Sequence, residues 1–310
     1  MAALSIRRSC LARGGVELLG KEMTADLQQL KTVAKQNPGT DVELLTKGVS
    51  FGVLRFENDR FDTSRVEGVD DDLVVRPFGR KGEFITTREF AVGAMAFHFG
   101  MEPVELVGED VDADGDGFVN EMLVGELSAL SVFMTTLETP RETARKGDAR
   151  QGEGLFHDIG CAACHVPSLR TDRLDLTYSF PENPVKPFAN IFYQIDLSTP
   201  PANFTPTASG GLEVPLFSDL KRHDMGPELA ESTGDPLDAE FITARLWGIA
   251  DTAPYLHDGR ALTLTEAILM HGGEAAAARD AFAELRDGEK IELLAFLRSL
   301  RTPDVGVQLR

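Results

Sequence analysis

The sequence predicts a mainly α-helical fold with long irregular loops. Helix-capping signals stand before apolar runs of helical period in both halves of the chain, at Thr86 and at Thr263. Residues 166–220 are rich in proline, glycine, asparagine and serine, which favour turns and loops over regular structure. We therefore expect several helices, little sheet and one long irregular excursion.

The composition is that of a soluble globular protein that is long enough for two domains. Of the 310 residues, 42% are hydrophobic and 26% are charged. The 50 acidic residues exceed the 31 Lys and Arg residues and give a net charge of -19, so the chain should repel nucleic acid and anionic membrane surfaces. No run approaches the ~20 apolar residues that a membrane-spanning helix needs, and no span is predicted.

Two helices are predicted before residue 140, on either side of an acidic loop. The first covers Thr86 to Met101, because Thr86 can cap its N-terminus together with Glu89 three residues on. Its apolar stripe comprises Phe90, Ala94 and Phe97. The second covers about Glu121 to Leu137.

A domain boundary is predicted near residue 140, where Thr139-Pro140 precedes a charged run that extends to Arg150. It divides the chain into residues 1–140 and residues 141–310. Three helices are predicted beyond it: one begins within Gly152–Phe156, one runs from Thr263 to Gly272, and the last covers about Glu289 to Leu300.

The run Cys161-Ala-Ala-Cys164-His165 has the spacing at which a covalent c-type haem is attached. The two thiols lie about one helical turn apart and match the two haem vinyl groups, while the adjacent imidazole is held beneath the iron. A thioredoxin-like redox site would require a βαβ context, and a zinc site would require a second ligand pair; neither is visible. The sequence therefore predicts haem c on Cys161 and Cys164, with His165 as the proximal iron ligand.

The motif does not identify the other axial iron ligand, and His271 and Met225 are the two leading candidates. The candidates after the boundary are His157, His223, His257, His271, Met225 and Met270. His271 closes the helix that Thr263 begins, on the face where that helix should be buried. Met225 lies in a loop before Pro227 and is the alternative. A thioether ligand would raise the haem potential, whereas two histidines would keep it low.

Four sequence blocks in combination resemble a known family. They are Pro77-Phe-Gly-Arg-Lys-Gly-Glu83 with Arg88-Glu-Phe-Ala-Val-Gly-Ala94, then Asp219-Leu-Lys-Arg-His-Asp-Met-Gly-Pro227, Leu246-Trp-Gly-Ile-Ala-Asp-Thr-Ala-Pro-Tyr-Leu-His-Asp-Gly-Arg260 and Glu266-Ala-Ile-Leu-Met-His-Gly-Gly-Glu274. They are similar to the di-haem oxidoreductase family, which is related to the bacterial di-haem cytochrome c peroxidases and to the di-haem enzyme of methylamine dehydrogenase maturation. The resemblance covers most of the chain from about residue 70.

The resemblance implies two cytochrome c-like domains with a haem in each, and in the peroxidases a calcium ion between them. Cys161, Cys164 and His165 match the second haem site of the family. His271 falls at the position of the distal ligand, after the His257 of the Pro-Tyr-x-His-Asp-Gly motif. The family pattern therefore favours His271 over Met225 as the distal ligand.

The chain departs from the family in having no Cys-x-x-Cys-His before residue 161. We therefore expect residues 1–140 to be a partial N-terminal cytochrome c-like or helical domain, N-terminally truncated relative to the family. His98 would face the first haem in a complete relative, and a structural role is favoured for it here. Residues 141–310 are expected to form the cytochrome c-like haem domain.

An acidic loop offers a candidate calcium site. Residues 112–120, Asp-Ala-Asp-Gly-Asp-Gly-Phe-Val-Asn, place carboxylates at positions 1, 3 and 5 and a glycine at position 6, as a calcium loop does. Leu123 stands where a bidentate glutamate is expected, and a solvated acidic turn is the alternative. The candidate ligands are Asp112, Asp114, Asp116, Phe118 through its carbonyl, and Glu121.

These features predict a c-type cytochrome that transfers electrons within a di-haem oxidoreductase or peroxidase-type protein, together with a redox partner protein. The alternatives are a mono-haem electron carrier without catalysis and a truncated fragment that receives no haem. Peroxidase activity is implied by the resemblance alone, because peroxide reduction needs an open iron position and a nearby base. Haem is attached to thiols outside the cytoplasm in bacteria, so a periplasmic location is expected, although the first residues show no signal peptide.

Overall fold

The computed structural model of the chain describes residues 13–139, 145–178 and 193–302. Helices account for 37% and strands for 17%, so the fold is mixed α/β with several small sheets. The prediction of a mainly α fold is therefore wrong. The helices are α1 (Arg13–Gln36), α2 (Thr87–Phe99), α3 (Val104–Val107), α4 (Val124–Thr135), α5 (Asp148–Asp158), α6 (Leu264–Leu269), α7 (Ala276–Glu284) and α8 (Asp287–Ser299). The strands are β1 (Asp41–Thr46), β2 (Val49–Glu57), β3 (Arg60–Asp62), β4 (Leu169–Arg170), β5 (Asp175–Tyr178), β6 (Tyr193–Asp196), β7 (Thr205–Pro206), β8 (Leu212–Val214), β9 (Arg222–Asp224) and β10 (Glu240–Ile242).

The first sheet is an antiparallel meander of β1, β2 and β3. Each of its two turns has two consecutive residues with positive φ. The φ values are 50° and 82° for Lys47-Gly48, and 52° and 57° for Asn58-Asp59. Two-residue turns of this kind match the twist of the strands that they join, and Asn, Asp and Gly adopt them at low cost. These dipeptides between apolar runs were therefore a hairpin signal that the helical prediction overlooked.

The excursion between residues 166 and 220 is also less irregular than predicted. It holds strands β4 to β8, among which β8 pairs with both β4 and β7, and β5 pairs with β6. Each of these strands is two to four residues long. Such short strands carry little local pattern, and their pairing depends on partners that are distant in sequence. Part of the excursion, residues 179–192, lies outside the described residues.

Two predicted helix starts are confirmed in detail. At α2, the Thr86 hydroxyl accepts the Glu89 amide (3.1 Å), and the Glu89 carboxylate accepts the Thr86 amide (3.1 Å). At α6, Thr263 and Glu266 make the same reciprocal pair, at 3.1 Å and 2.9 Å. Each pair satisfies two backbone amides that the helix itself leaves without a partner.

Besides a small cluster of Ala91, Met122, Leu127 and Met134, two larger hydrophobic cores organise the described residues. One joins α1 and the β1–β3 sheet to strands of the later excursion, with Leu19, Phe51 and Leu216 fully buried. The other is formed by helices α5 to α8. The first core takes residues from both sides of residue 140, and the division of the chain at that point stays a prediction. Among the described helices, none is both long and apolar enough to cross a membrane.

Candidate functional site

The Cys-x-x-Cys-His motif lies on a tight turn directly after α5. Gly160 reverses the chain with a φ of 90°, which glycine adopts without a steric cost. A single 3-10 turn, Cys161–Ala163, follows, and the His165 amide donates to the Cys161 carbonyl at 3.0 Å. Both cysteines and His165 are thus held within one compact turn of the chain.

The His165 imidazole is oriented by a backbone carbonyl from a distant segment. Its Nδ1 donates to the Phe217 carbonyl at 3.1 Å. Two further bonds hold that segment against the motif: the Phe217 amide donates to the Pro167 carbonyl (3.2 Å) and the Ser218 amide to the Val166 carbonyl (3.0 Å). A histidine whose Nδ1 carries the proton offers Nε2 as a metal ligand. The sequence did not identify Phe217, because a backbone carbonyl that accepts a hydrogen bond leaves no side-chain signature.

The environment of His165 keeps its imidazole neutral. Burial and, to a lesser extent, the nearby His271 lower the pKa of His165 to about 4. A ring of aromatic side chains packs behind it: Phe156 lies with its ring centroid 6.3 Å from that of His165 and 5.2 Å from that of Phe296. A neutral imidazole is the form that binds iron, so the charge state of His165 suits a ligand.

Helices α5 and α8 cross at a glycine beside this aromatic cluster. Gly152 of α5 meets the backbone of α8 so closely that a Cβ at this position would lie 1.9 Å from the Glu292 carbonyl oxygen and 2.8 Å from the Leu293 Cα. Phe156, one turn later on α5, is 3% exposed. The crossing therefore fixes the position of the residues that lead into the Cys-x-x-Cys-His turn.

His271 lies directly after α6 and is also a neutral imidazole with one nitrogen in use. Its Nδ1 donates to the Ala267 carbonyl at 2.8 Å, and burial lowers its pKa. The Arg279 guanidinium donates to the His271 carbonyl at 3.1 Å and holds the turn from outside. His271 is near enough to contribute to the lowered pKa of His165, so the two imidazoles interact electrostatically.

Met225, the alternative distal ligand, lies beside the same turn. A Cβ on Gly272 would be 2.7 Å from the Met225 carbonyl oxygen, so the two backbones are in direct contact. Met225 is partly buried, and its amide donates to the Ala239 carbonyl at 2.9 Å. Of the remaining candidates, His157 is exposed at the end of α5, and Met270 packs against the core formed by α5 to α8. Both distal candidates therefore stay compatible with the fold.

Cys161 has the properties of a half-buried, unreactive thiol. Burial raises the pKa of the Cys161 thiol to about 11, whereas the cysteines of thioredoxin-like sites have a lowered pKa. Metal-ligating side chains do approach Cys164, because ligand atoms of Cys164, Asp219 and His223 lie within 4.8 Å of one another. Both ring nitrogens of His223 already face carboxylates, at 2.8 Å and 2.6 Å.

His223 is a cation held between two acids. Its Nε2 donates to Asp219, its Nδ1 donates to Glu274, and its Nδ1 lies 4.0 Å from the Cys164 sulfur. Burial alone would lower the pKa of His223, but the hydrogen bond to Asp219 and the contacts with Cys164 and Glu274 raise it to about 11. The imidazole is therefore charged at neutral pH, unlike those of His165 and His271.

His257 and Arg260, from the sequence block that ends at residue 260, make structural contacts. The His257 ring stacks on Phe241 at a centroid distance of 4.6 Å. Arg260 donates to the Glu228 carbonyl at 2.7 Å and to the Asp258 carboxylate at 2.5 Å. These contacts brace residues 253–261 against the β9–β10 hairpin.

The acidic loop is closed by its own carboxylates. Asp112 accepts the amides of Gly115 (2.7 Å) and Gly117 (3.0 Å), and these glycines have φ values of 79° and 93°. Asp114 accepts the Asp116 amide at 3.1 Å. The backbone thus turns around a carboxylate-rich centre, as a calcium loop does.

Glu102 joins this loop, which the sequence did not predict. Carboxylate oxygens of Glu102, Asp112 and Asp114 lie within 4.8 Å of one another. Glu102 also accepts the Ala113 amide (2.8 Å), and Glu121 accepts the Glu102 amide (2.6 Å). Asp116 and Glu121 are not part of the three-residue group. Glu102 precedes the loop by ten residues and is brought to it by tertiary structure, so no sequence spacing could have found it.

His98 lies on an exposed apolar end of α2. It is exposed together with its neighbours Phe97 and Phe99, of which 82% and 59% of the surface is accessible. The Phe97 ring packs edge-on against His98 at 5.0 Å. No contact of His98 with the Cys-x-x-Cys-His region is present among the described residues.

Comparisons with known proteins agree with the motifs. Residues 205–300 match the family model described as "Di-haem oxidoreductase, putative peroxidase". "Cytochrome-c peroxidase IdrP1" of Denitromonas iodatirespirans is 28% identical over 167 residues, which are 51% of this chain and 42% of that protein. The match therefore spans less than half the length of this relative. The resemblance to the di-haem oxidoreductase family is confirmed, and it supports a haem-binding redox function.

Two solved structures show a weaker likeness. The hydrazine synthase of Kuenenia stuttgartiensis, solved under xenon, is 21% identical with a TM-score of 0.33 and covers 56% of this chain and 55% of its own. A MauG-like protein associated with microbial copper homeostasis is 18% identical with a TM-score of 0.41, and the match covers 76% of this chain and 75% of that chain. Neither likeness is strong enough to support a functional argument.

Proposed function

We propose that this chain binds one covalent haem c through Cys161 and Cys164 and transfers electrons within a di-haem oxidoreductase or peroxidase-type protein. His165 and His271 would hold the haem iron in this proposal. The observation that carries it is the pairing of two neutral imidazoles in one site, each with Nδ1 bound to a backbone carbonyl, at 3.1 Å for His165 and 2.8 Å for His271. Bound haem iron supplies the one-electron redox chemistry.

The protein's own part in this function is to hold and shield the ligands. The Phe217 and Ala267 carbonyls fix the ring orientation of His165 and His271, and this kind of outer hydrogen bond also strengthens the ligand. The aromatic side chains of Phe156 and Phe296 pack behind His165. If both imidazoles hold the iron, the haem would supply electron transfer rather than react directly with peroxide.

The location and the partner belong to the same proposal. Because haem is attached to thiols outside the bacterial cytoplasm, we propose a periplasmic location for the chain. The net charge of -19 makes a basic redox protein the complementary partner. Peroxidase activity is proposed only for a complete protein in which a second haem offers an open iron position.

The distal ligand can be identified by substitution. We expect wild-type protein, exported through a haem-maturation pathway, to have a low-spin optical spectrum, because two strong-field ligands bind the iron. His271→Ala should convert the ferric spectrum to high-spin. Oxidised and reduced spectra of the purified protein measure the change.

Met225→Leu is the matched control, since it removes the alternative ligand from the same turn while it keeps an apolar side chain. It should leave the spectrum low-spin. A low-spin His271→Ala protein together with a high-spin Met225→Leu protein would assign the ligand to Met225. A high-spin wild-type spectrum would show that the iron has an open coordination position and would favour peroxide reduction as the function.

We also propose that the acidic loop binds calcium. Asp112, Asp114 and Asp116 supply carboxylates and Phe118 supplies its carbonyl, as the loop pattern predicts. Glu121 is the predicted fifth ligand. Glu102 lies beside Asp112 and Asp114 and could also supply the carboxylate that Leu123 does not provide at position 12 of the loop. Three carboxylates that lie this close repel one another unless a cation is present.

Calcium should therefore stabilise the chain. At a calcium concentration about 100-fold above the dissociation constant, we expect a gain of about 2.7 kcal/mol in the free energy of unfolding. Asp112→Asn should abolish the gain, whereas Glu109→Gln, which removes an exposed charge just before the loop, should keep it. Chemical unfolding with and without calcium makes the comparison. An equal calcium effect in both variants would refute the site.

A further inference from the structure

One imidazole connects the two sides of the candidate haem site. His223 donates from Nε2 to Asp219 at 2.8 Å and from Nδ1 to Glu274 at 2.6 Å. Asp219 and His223 are buried, at 3% and 9% exposure, and the Glu274 side chain is 54% exposed. We call Asp219, His223 and Glu274 the His223 bridge.

The Asp219 end of the bridge supports the His165 side of the site. Asp219 is two residues beyond Phe217, whose carbonyl accepts the His165 Nδ1 proton. The turn that holds them is strained, because Phe217 and Leu220 have φ values of 52° and 61°, a left-handed region that residues with a side chain rarely adopt. Such a turn persists only if its surroundings hold it, and the hydrogen bond from His223 to Asp219 is one of the contacts that do so.

The Glu274 end of the bridge supports the His271 side. Glu274 is three residues beyond His271, and its second oxygen accepts the Asp224 amide at 2.9 Å. The two segments are in backbone contact, since a Cβ on Gly273 would lie 2.1 Å from the Asp224 carbonyl oxygen. Glu274 therefore ties the turn after His271 to the strand that carries His223.

We infer that His223 is a positioning residue that holds the segments of His165 and His271 at a fixed separation and so sets the axial ligation of the iron. This role rests on the proposed function, because it concerns the same iron. The bridge is a cation between two carboxylates, and removal of one partner of such a buried group is costly. His223 also lies 4.0 Å from the Cys164 sulfur, so the bridge passes beside the attachment turn.

A double-mutant cycle on the full chain tests whether the bridge acts as one unit. Asp219→Asn and Glu274→Gln, which keep side-chain size, are made singly and together. The unfolding equilibrium constant of each variant is measured with and without haem. If the two acids are coupled through His223, the unfolding equilibrium constant of the double variant should differ by about fivefold or more from the value that the two single variants predict together. Residues in one hydrogen-bond network show coupling of this kind. The control pairs Asp219→Asn with Glu284→Gln, an exposed acid of α7, and should show no departure. Independent effects in both pairs would overturn the bridge.

Spectra of the haem-loaded variants test the effect on the iron. Glu274→Gln should increase the high-spin fraction or shift the reduction potential, and Glu284→Gln should not. Coupling in the cycle without any spectral or potential change would show a bridge that is structural only, and would overturn the positioning role. A wild-type chain that takes up no haem would instead contradict the proposed function, while the cycle would still decide whether the bridge exists.

Discussion

Gly152→Ala is expected to lower the free energy of unfolding by about 3 kcal/mol or more. The added methyl group would lie 1.9 Å from the Glu292 carbonyl oxygen and 2.4 Å from its carbon, so α5 and α8 would have to separate. The obstructing atoms belong to the backbone and cannot move aside as a flexible side chain can. Because α5 leads into the Cys-x-x-Cys-His turn, the variant should also hold less haem. Urea unfolding and the absorbance of haem per protein measure the two effects.

Gly154→Ala is the matched control, two residues further along the same helix. A Cβ at Gly154 would meet nothing within 4 Å. Alanine is favoured over glycine in a helix by about 0.5–1 kcal/mol, so this variant should be as stable as the wild type or more stable. Equal stability of the two variants would show that the α5–α8 contact does not limit the fold.

Replacement of both Cys161 and Cys164 by alanine is expected to abolish covalent haem completely. No thioether can form at either position, and haem held by axial ligands alone is released when the protein is denatured. The measurement is haem fluorescence or peroxidase staining of the denatured protein on a gel, after export through a haem-maturation pathway.

Cys10→Ala controls for the loss of a thiol as such. Cys10 is the one cysteine of the sequence that does not belong to the Cys-x-x-Cys-His motif, and it lies outside the described residues. This variant should keep its haem. If the Cys161→Ala, Cys164→Ala protein retained haem after denaturation, attachment would have to occur elsewhere, and the assignment of the motif would be wrong.

Local signals predicted local structure well. The capping boxes at Thr86 and Thr263 are present as the sequence indicated, because each depends only on residues three positions apart. The sheets were missed for two different reasons. The β1–β3 turns had a readable signal at Lys47-Gly48 and Asn58-Asp59, whereas strands such as β4 and β8 find their partners far along the chain.

The sequence predicted only those parts of the candidate site that consist of side chains in a recognisable motif. Cys161, Cys164, His165 and His271 could be named from spacing and resemblance. The groups that orient them could not, since the Phe217 and Ala267 carbonyls carry no side-chain signal. Glu102 and the His223 bridge depend in the same way on tertiary contacts between segments that are separate in sequence.

The most direct test of the proposed function is the mass of the peptide that contains Cys161 and Cys164. It should be taken from wild-type protein that has been exported through a haem-maturation pathway, denatured and digested. We predict that this peptide carries the added mass of one haem and that neither thiol can be alkylated. Two alkylated thiols and no added haem, with a known c-type cytochrome matured in the same cells, would contradict the account.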